Sequence, residues 1–230
     1  MDRDTLQTNL ERVRAELREA SEGRWPMPKL VAVTKTHPLA DILPLRGLGI
    51  TDVGENRVQE IREKTPALSE NFKVHLIGRL QSNKVKYIME TVCLIQSLDR
   101  WSLAQEIDRQ AQLHGVRMPV LVQVSPAGEP QKGGMPPEEV PDFIRRAAKL
   151  PGLQVRGLMA VMPDTDDEAV LTPMFAGMRT LFDHLREDMP AEAAMEELSM
   201  GMSGDYRIAA RCGATMVRVG SAIFGPRRYA

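Results

Sequence analysis

Residues 30–38 read Leu-Val-Ala-Val-Thr-Lys-Thr-His-Pro, a strand-like apolar run that ends directly in a lysine. The run is short, valine-rich and apolar up to Thr34, as strands of a parallel sheet covered on both faces are. The turn after it decides the fold. An open, doubly wound sheet that binds a dinucleotide needs a glycine-rich turn after its first strand, so that backbone can approach the pyrophosphate. Thr34-Lys35-Thr36-His37-Pro38 contains no glycine.

Seven further strand-like runs lie at 50–53, 73–77, 92–96, 119–125, 153–159, 197–199 and 215–219. Helix-period stretches separate them at 39–48, 57–68, 82–89, 100–113, 137–150 and 167–185, with another at 205–211. Pro136-Pro137 and Pro151-Gly152 start and stop one of these. Ahead of them all, Leu6, Leu10, Val13 and Leu17 form one helical stripe that Ser21-Glu22-Gly23 and Pro26 end. Eight βα units behind a leading helix predict an α/β fold, a (β/α)8 TIM barrel with an extra N-terminal helix. No linker, low-complexity tract or internal repeat interrupts residues 1–230, so a single domain is expected.

Lys plus Arg is 30 and Asp plus Glu is 31, a net charge of −1. That balance exerts no general pull toward nucleic acid or an anionic membrane, and neither is expected as a partner. No apolar stretch approaches the roughly 18 residues of a membrane span, and the charged first residues are unlike a signal peptide. Cys93 and Cys212 have no CxxC spacing and apolar neighbours, so they read as buried, reduced thiols of a cytoplasmic protein. His37, His75, His114 and His184 are scattered without zinc-ligand spacing. The mixed charges at 11–19 and 57–64 read as solvated helix faces, and a monomer is expected.

Working residues of such a barrel stand at the C-terminal ends of its strands, with phosphate sites built on the last two loops. Lys35 ends the first strand; there its amine would enter the mouth, partly desolvated and able to form a Schiff base, unless it is simply a solvated lysine. The seventh end is Ser199-Met200-Gly201-Met202-Ser203-Gly204-Asp205, and the eighth is Arg218-Val219-Gly220-Ser221-Ala222-Ile223-Phe224-Gly225. Both combine small residues, hydroxyls and a helix start, the composition that offers backbone N–H groups to an anion. Ser203, Gly220 and Ser221 are the candidates to hold a phosphate dianion, and Met159, Met200 and Met202 are candidate pocket walls. A lysine beside a phosphate cradle leaves two chemistries: pyridoxal 5′-phosphate bound through the lysine, or a Schiff-base aldolase acting on a sugar phosphate. A lysine after the first strand favours the cofactor.

Several longer blocks point the same way. Val33-Thr34-Lys35-Thr36, Gly54-Glu55-Asn56 and His75-Leu76-Ile77-Gly78-Arg79-Leu80-Gln81-Ser82-Asn83-Lys84 come first. Gly157-Leu158-Met159, residues 198–205 and residues 216–225 come next, in that order. From about residue 29 to 225 the chain resembles the pyridoxal-phosphate homeostasis (YggS/PROSC) family, whose fold is similar to the N-terminal barrel domain of alanine racemase. The resemblance implies that Lys35 holds pyridoxal 5′-phosphate as a reversible aldimine, in the service of intracellular vitamin B6 and amino-acid homeostasis. It implies little or no turnover, and apoenzymes that require the cofactor as partners. It implies that Asn56 lies beside the cofactor and that His75 and Met159 help to wall its ring. Ser199, Met200, Gly201 and Ser203 match the seventh loop, and Gly220 and Ser221 the eighth, around the phosphate. Arg218 matches the residue facing the pyridine nitrogen. The loop at 128–134 departs from the family by being proline-rich, and its role stays open.

A cation at the pyridine nitrogen disfavours the pyridinium and so weakens carbanion stabilisation. Poor aminotransferase-like chemistry is therefore expected. An amino-acid racemase on the same cofactor, or the aldolase, is the alternative. The chain ends soon after its eighth unit, and Tyr87, Tyr206 and Tyr229 sit in no motif opposite Lys35, so the second half of a racemase site is not expected.

Overall fold

Parallel strands close on themselves in sequence order: β1 Lys29–Val33, β2 Asp52–Glu55, β3 Lys73–Leu76, β4 Val92–Leu98, β5 Met118–Val124, β6 Leu153–Ala160, β7 Ala193–Ser199 and β8 Met216–Val219. β8 pairs back onto β1, with Val31 opposite Arg218. The computed structural model describes residues 2–129, 132–190 and 193–226, so Tyr229 and, in the 128–134 loop, Pro130 and Gln131 lie outside it. The expected α/β barrel with its leading helix is what the chain forms.

The helices are α1 Arg3–Ser21, α2 Leu39–Ile42, α3 Pro44–Gly47, α4 Val58–Lys64, α5 Ala67–Asn71, α6 Trp101–Leu113, α7 Val140–Ala147, α8 Glu168–Asp188, α9 Tyr206–Arg211 and α10 Ser221–Phe224. Two stretches predicted as continuous helices are broken, at Pro44 and at Pro66, because a proline interrupts the hydrogen-bond ladder. The third crossover tightens into a 3-10 turn, Ser82–Tyr87. β7 starts at Ala193, four residues before the predicted strand: its Ala-Ala-Met-Glu-Glu composition favours a helix, but pairing with β6 overrides it.

α1 is capped by Asp2, whose Oδ1 accepts from the Thr5 N–H at 2.8 Å. It buries Leu6, Leu10, Val13 and Leu17 completely or nearly so, which contributes about 2 kcal/mol per side chain. The Asn9 amide donates to the Ile223 carbonyl at 2.8 Å and Arg12 to the Ala222 carbonyl at 3.0 Å. The leading helix thus braces the loop that follows β8.

Inside the barrel, Val31, Leu94, Leu121, Met159 and Met216 form an apolar cluster separate from the larger core between strands and helices. The cysteines correct an expectation. Cys93 is exposed and Cys212 half-buried, both as free thiols; strand alternation turns Cys93 away from its buried neighbours Val92 and Leu94. Among the described residues no helix is long and apolar enough to cross a membrane.

The β6 register shifts against β7 between Val155 and Gly157. Gly157 has φ +147°, and a Cβ there would lie 1.9 Å from the Glu197 carbonyl oxygen. Only glycine permits this approach. Gly157→Ala is expected to cost about 3 kcal/mol, lowering the melting temperature by roughly 10 °C in a thermal scan by circular dichroism.

Candidate active site

Lys35 sits just past β1, half-buried, in a turn fixed from both sides. On one side Thr34 is fully buried; its N–H donates to the Gly54 carbonyl at 3.0 Å and its hydroxyl to Glu55 Oε1 at 2.7 Å. Lys64, at the end of α4, donates to the Thr34 carbonyl at 3.0 Å, to Glu55 Oε1 at 2.7 Å and to Glu60 Oε2 at 3.3 Å. Glu60 Oε2 also accepts from the Thr36 N–H at 2.6 Å. Thr36 has φ +67°, a costly conformation for a β-branched residue, and that bond helps to hold it there. On the other side His37 stacks on Phe224 of α10, ring centroids 4.1 Å apart.

The reading of 57–64 as a solvated face holds for Arg57, Gln59, Arg62 and Glu63, which are exposed, and fails at Lys64. The Lys64 side chain is 11% exposed and Glu55 0%, because α4 lays its last turn over the tips of β1 and β2. Burial pushes the Glu55 carboxyl up, against the opposing pull of its bonds from Lys64 and Thr34. Its Oε2 is buried without a hydrogen-bond partner.

A continuous polar chain crosses the barrel interior. Arg218 Nη1 donates to Ser199 Oγ at 2.7 Å, and Ser199 Oγ donates to Gln96 Oε1 at 2.7 Å. Gln96 Nε2 donates to His75 Nδ1 at 2.9 Å, leaving His75 Nε2–H to donate to Asp52 Oδ1 at 3.0 Å. Thr51 completes the chain by donating to Asp52 Oδ2 at 2.6 Å. Burial works to raise the Asp52 carboxyl, but hydrogen bonds from His75 and Thr51, helped by the charge of Lys29, prevail and hold it below the usual range. Arg218 is 3% exposed and also donates from Nη2 to the Ala160 carbonyl at 2.8 Å. Its hydrogen-bond partners are a hydroxyl and a carbonyl; burial pulls its pKa down to about 10, partly offset by the Asp205 charge.

The last two loops meet at Ser203. Its Oγ accepts from the Gly220 N–H at 3.1 Å and from the Ala222 N–H at 3.2 Å. Two backbone donors that converge on one oxygen have the geometry that a phosphate oxygen requires. Gly201, at φ +95°, carries the seventh loop past α9: a Cβ there would lie 2.5 Å from the Ala209 side chain. Its carbonyl accepts from the Arg218 N–H at 3.0 Å. Met200 is fully buried, whereas Met202 is 38% exposed. Ser221 opens α10 and is exposed.

Ser199, Met200, Gly201, Ser203, Arg218, Gly220 and Ser221 are thus gathered at the tips of β7 and β8, with the Lys35 turn tied to the same corner by the His37 stack. Asn56 stands half-buried past β2, where the Gly78 backbone packs so closely that a Cβ would come within 2.3 Å of the Asn56 carbonyl oxygen. His75 is an interior residue with both ring nitrogens engaged, and Met159 belongs to the apolar cluster inside the barrel. Tyr206 is spent on Glu16 of α1, and burial, with that carboxylate, pushes its phenol up to about 12. Among the described residues no cluster of His, Cys, Asp and Glu could hold a metal ion.

Sequence reasoning assigns no role to Asp52, Glu55, Lys64 or Gln96. A glutamine two residues past Leu94 in an apolar strand is a legible mark of an interior polar partner. Lys64 carries no such mark, since nothing local shows that α4 folds it over β1.

Residues 1–228 match the family described as alanine racemase, N-terminal domain. A pyridoxal phosphate homeostasis protein of Aquifex aeolicus is 39% identical over 227 residues, covering 98% of each chain. A protein of unknown function from Bifidobacterium adolescentis superposes with TM-score 0.92 at 32% identity, over 97% of each chain. The structure of PipY of Synechococcus elongatus with PLP bound matches at TM-score 0.82 and 34% identity, over 96% of this chain and 100% of that one. With sequence and barrel in agreement along nearly the whole length, the chain belongs to the pyridoxal phosphate homeostasis proteins of the alanine racemase N-terminal domain family.

Proposed function

We propose that this chain binds pyridoxal 5′-phosphate reversibly through the Lys35 amine and keeps it in reserve, supporting vitamin B6 and amino-acid homeostasis rather than turning over a substrate. Relatives named for that role, and a bound PLP in PipY, support the reading. The observation that carries it is the convergence of the Gly220 and Ala222 N–H groups on one oxygen, beside the loop that bears Lys35. When bound, the cofactor supplies an aldehyde for a primary amine and a dianion for that pair of donors.

In this reading Ser203, Gly201, Gly220 and Ser221 hold the phosphate, and Ser203 rotates to donate once the anion takes the two amides. Thr34, Glu55 and Lys64 fix the backbone that carries the Lys35 amine. Asn56, His75, Met159, Ser199 and Met200 border or support the ring. Arg218 faces the ring nitrogen and, with a pKa of about 10, stays cationic at neutral pH. A cation there keeps that nitrogen unprotonated, so the site is poor at stabilising a carbanion. The racemase reading loses support for that reason. The proposal includes a monomer acting as one barrel domain in the cytoplasm, with cofactor-requiring apoenzymes as recipients.

Adding pyridoxal phosphate to the purified protein should produce an absorbance band near the visible edge that Lys35→Ala removes; a wild-type protein without the band contradicts the proposal. Arg218→Glu should raise α-proton exchange of amino acids in heavy water by at least about tenfold. Arg218→Gln, which removes the charge but keeps two donors, should give a smaller rise. If both variants load the cofactor and neither accelerates exchange, Arg218 does not set the electronics of the ring.

A further inference from the structure

Beside the mouth, the loops after β2 and β3 enclose a groove of about 210 Å3 lined by Arg57, Arg62, Arg79, Lys84 and Tyr87 among others. Among the described residues, no carboxylate lines it. None of these four cations forms an ion pair among the described residues, so all four charges are left to face the groove. Glu60 is electrostatically coupled to Arg57 but is bonded to Lys64 and the Thr36 N–H. Tyr87 is 40% exposed and gathers cations around one ring: the Arg62 guanidinium lies 4.5 Å from its centroid, Lys86 Nζ 5.1 Å and Lys84 Nζ 5.7 Å.

Mutual repulsion disfavours such a cluster unless an anion neutralises it. The chain as a whole is net −1, so the concentration of positive charge is local to this groove. We propose that it binds a compact diphosphate-type anion, either pyrophosphate or the diphosphate head of a larger metabolite, at a site distinct from the last two strand tips. Three arginines offer planar forks that match phosphate oxygens two at a time. A groove of this size lies below the range that encloses a whole drug-sized ligand and suits a head group. The tyrosine ring holds the cations in place when the anion leaves. Asn56, assigned to the border of the cofactor ring, also lines the groove, but the four cations and Tyr87 belong to neither the seventh nor the eighth loop, so the anion can bind whether or not Lys35 carries a cofactor.

The test is calorimetric titration of pyrophosphate into the full chain at moderate salt, before and after incubation with pyridoxal phosphate. Saturable binding with Kd below roughly 100 μM is expected, unchanged by that incubation. It should weaken at least about tenfold in the double variant Arg62→Gln, Lys84→Gln, whose melting temperature and cofactor absorbance should match wild type. Three results overturn the proposal: no saturable binding; binding abolished by pyridoxal phosphate, which would assign the anion to the last two loops; or tighter binding of a glutamate-rich peptide than of pyrophosphate, which would make the groove a protein-docking surface.

Discussion

One ammonium group fixes the backbone from which the Lys35 side chain extends. Lys64 donates to the Thr34 carbonyl and to two carboxylates, Glu55 and Glu60, which in turn hold the Thr34 hydroxyl and the Thr36 amide. The backbone on both sides of Lys35 is therefore fixed by bonds that Lys35 does not make itself. A pair as buried as Lys64 and Glu55 contributes little net stability, yet removing one partner costs about 3–5 kcal/mol because the other is left charged and alone. Its value here is positional. It holds a β-branched residue, Thr36, at positive φ next to the amine, and locates strain where a site can use it.

The second constraint is the chain of donors from Arg218 to Asp52. Each link donates in the same direction, from a cation at the tip of β8 to a carboxylate near the start of β2. Ser199, Gln96 and His75 fill the space between the two ends, and the charge that offsets Arg218 is the Asp205 carboxylate, to which it is not bonded. Arg218 can then remain charged without a carboxylate in direct contact, leaving its field to act on whatever occupies the mouth. A carboxylate bonded directly to the guanidinium would have cancelled that field.

Much of the architecture could be read in order along the chain. Valine-rich runs, the missing glycine after Thr34 and the stripe Leu6, Leu10, Val13, Leu17 all report short-range preferences that the barrel keeps. The N-terminal half of β7 could not be read, since Ala193 to Glu197 favours a helix locally and is a strand only because β6 lies beside it. The site divides in the same way. Lys35 and the two small-residue loops stand at strand tips, where position alone marks them. Lys64 and Asp52 act through groups far away in sequence, and no local pattern records such a partner. Cys93 is exposed where burial is expected because side chains alternate along β4, and its apolar neighbours say nothing about which face it takes.

The most direct measurement is chemical trapping. The protein loaded with pyridoxal phosphate is reduced with borohydride, digested, and its modified lysine located by mass spectrometry. The phosphopyridoxyl group is expected on Lys35 as the dominant product. Its appearance chiefly on Lys64, Lys132 or another lysine, or its absence from every peptide, would contradict a Schiff base at the tip of β1.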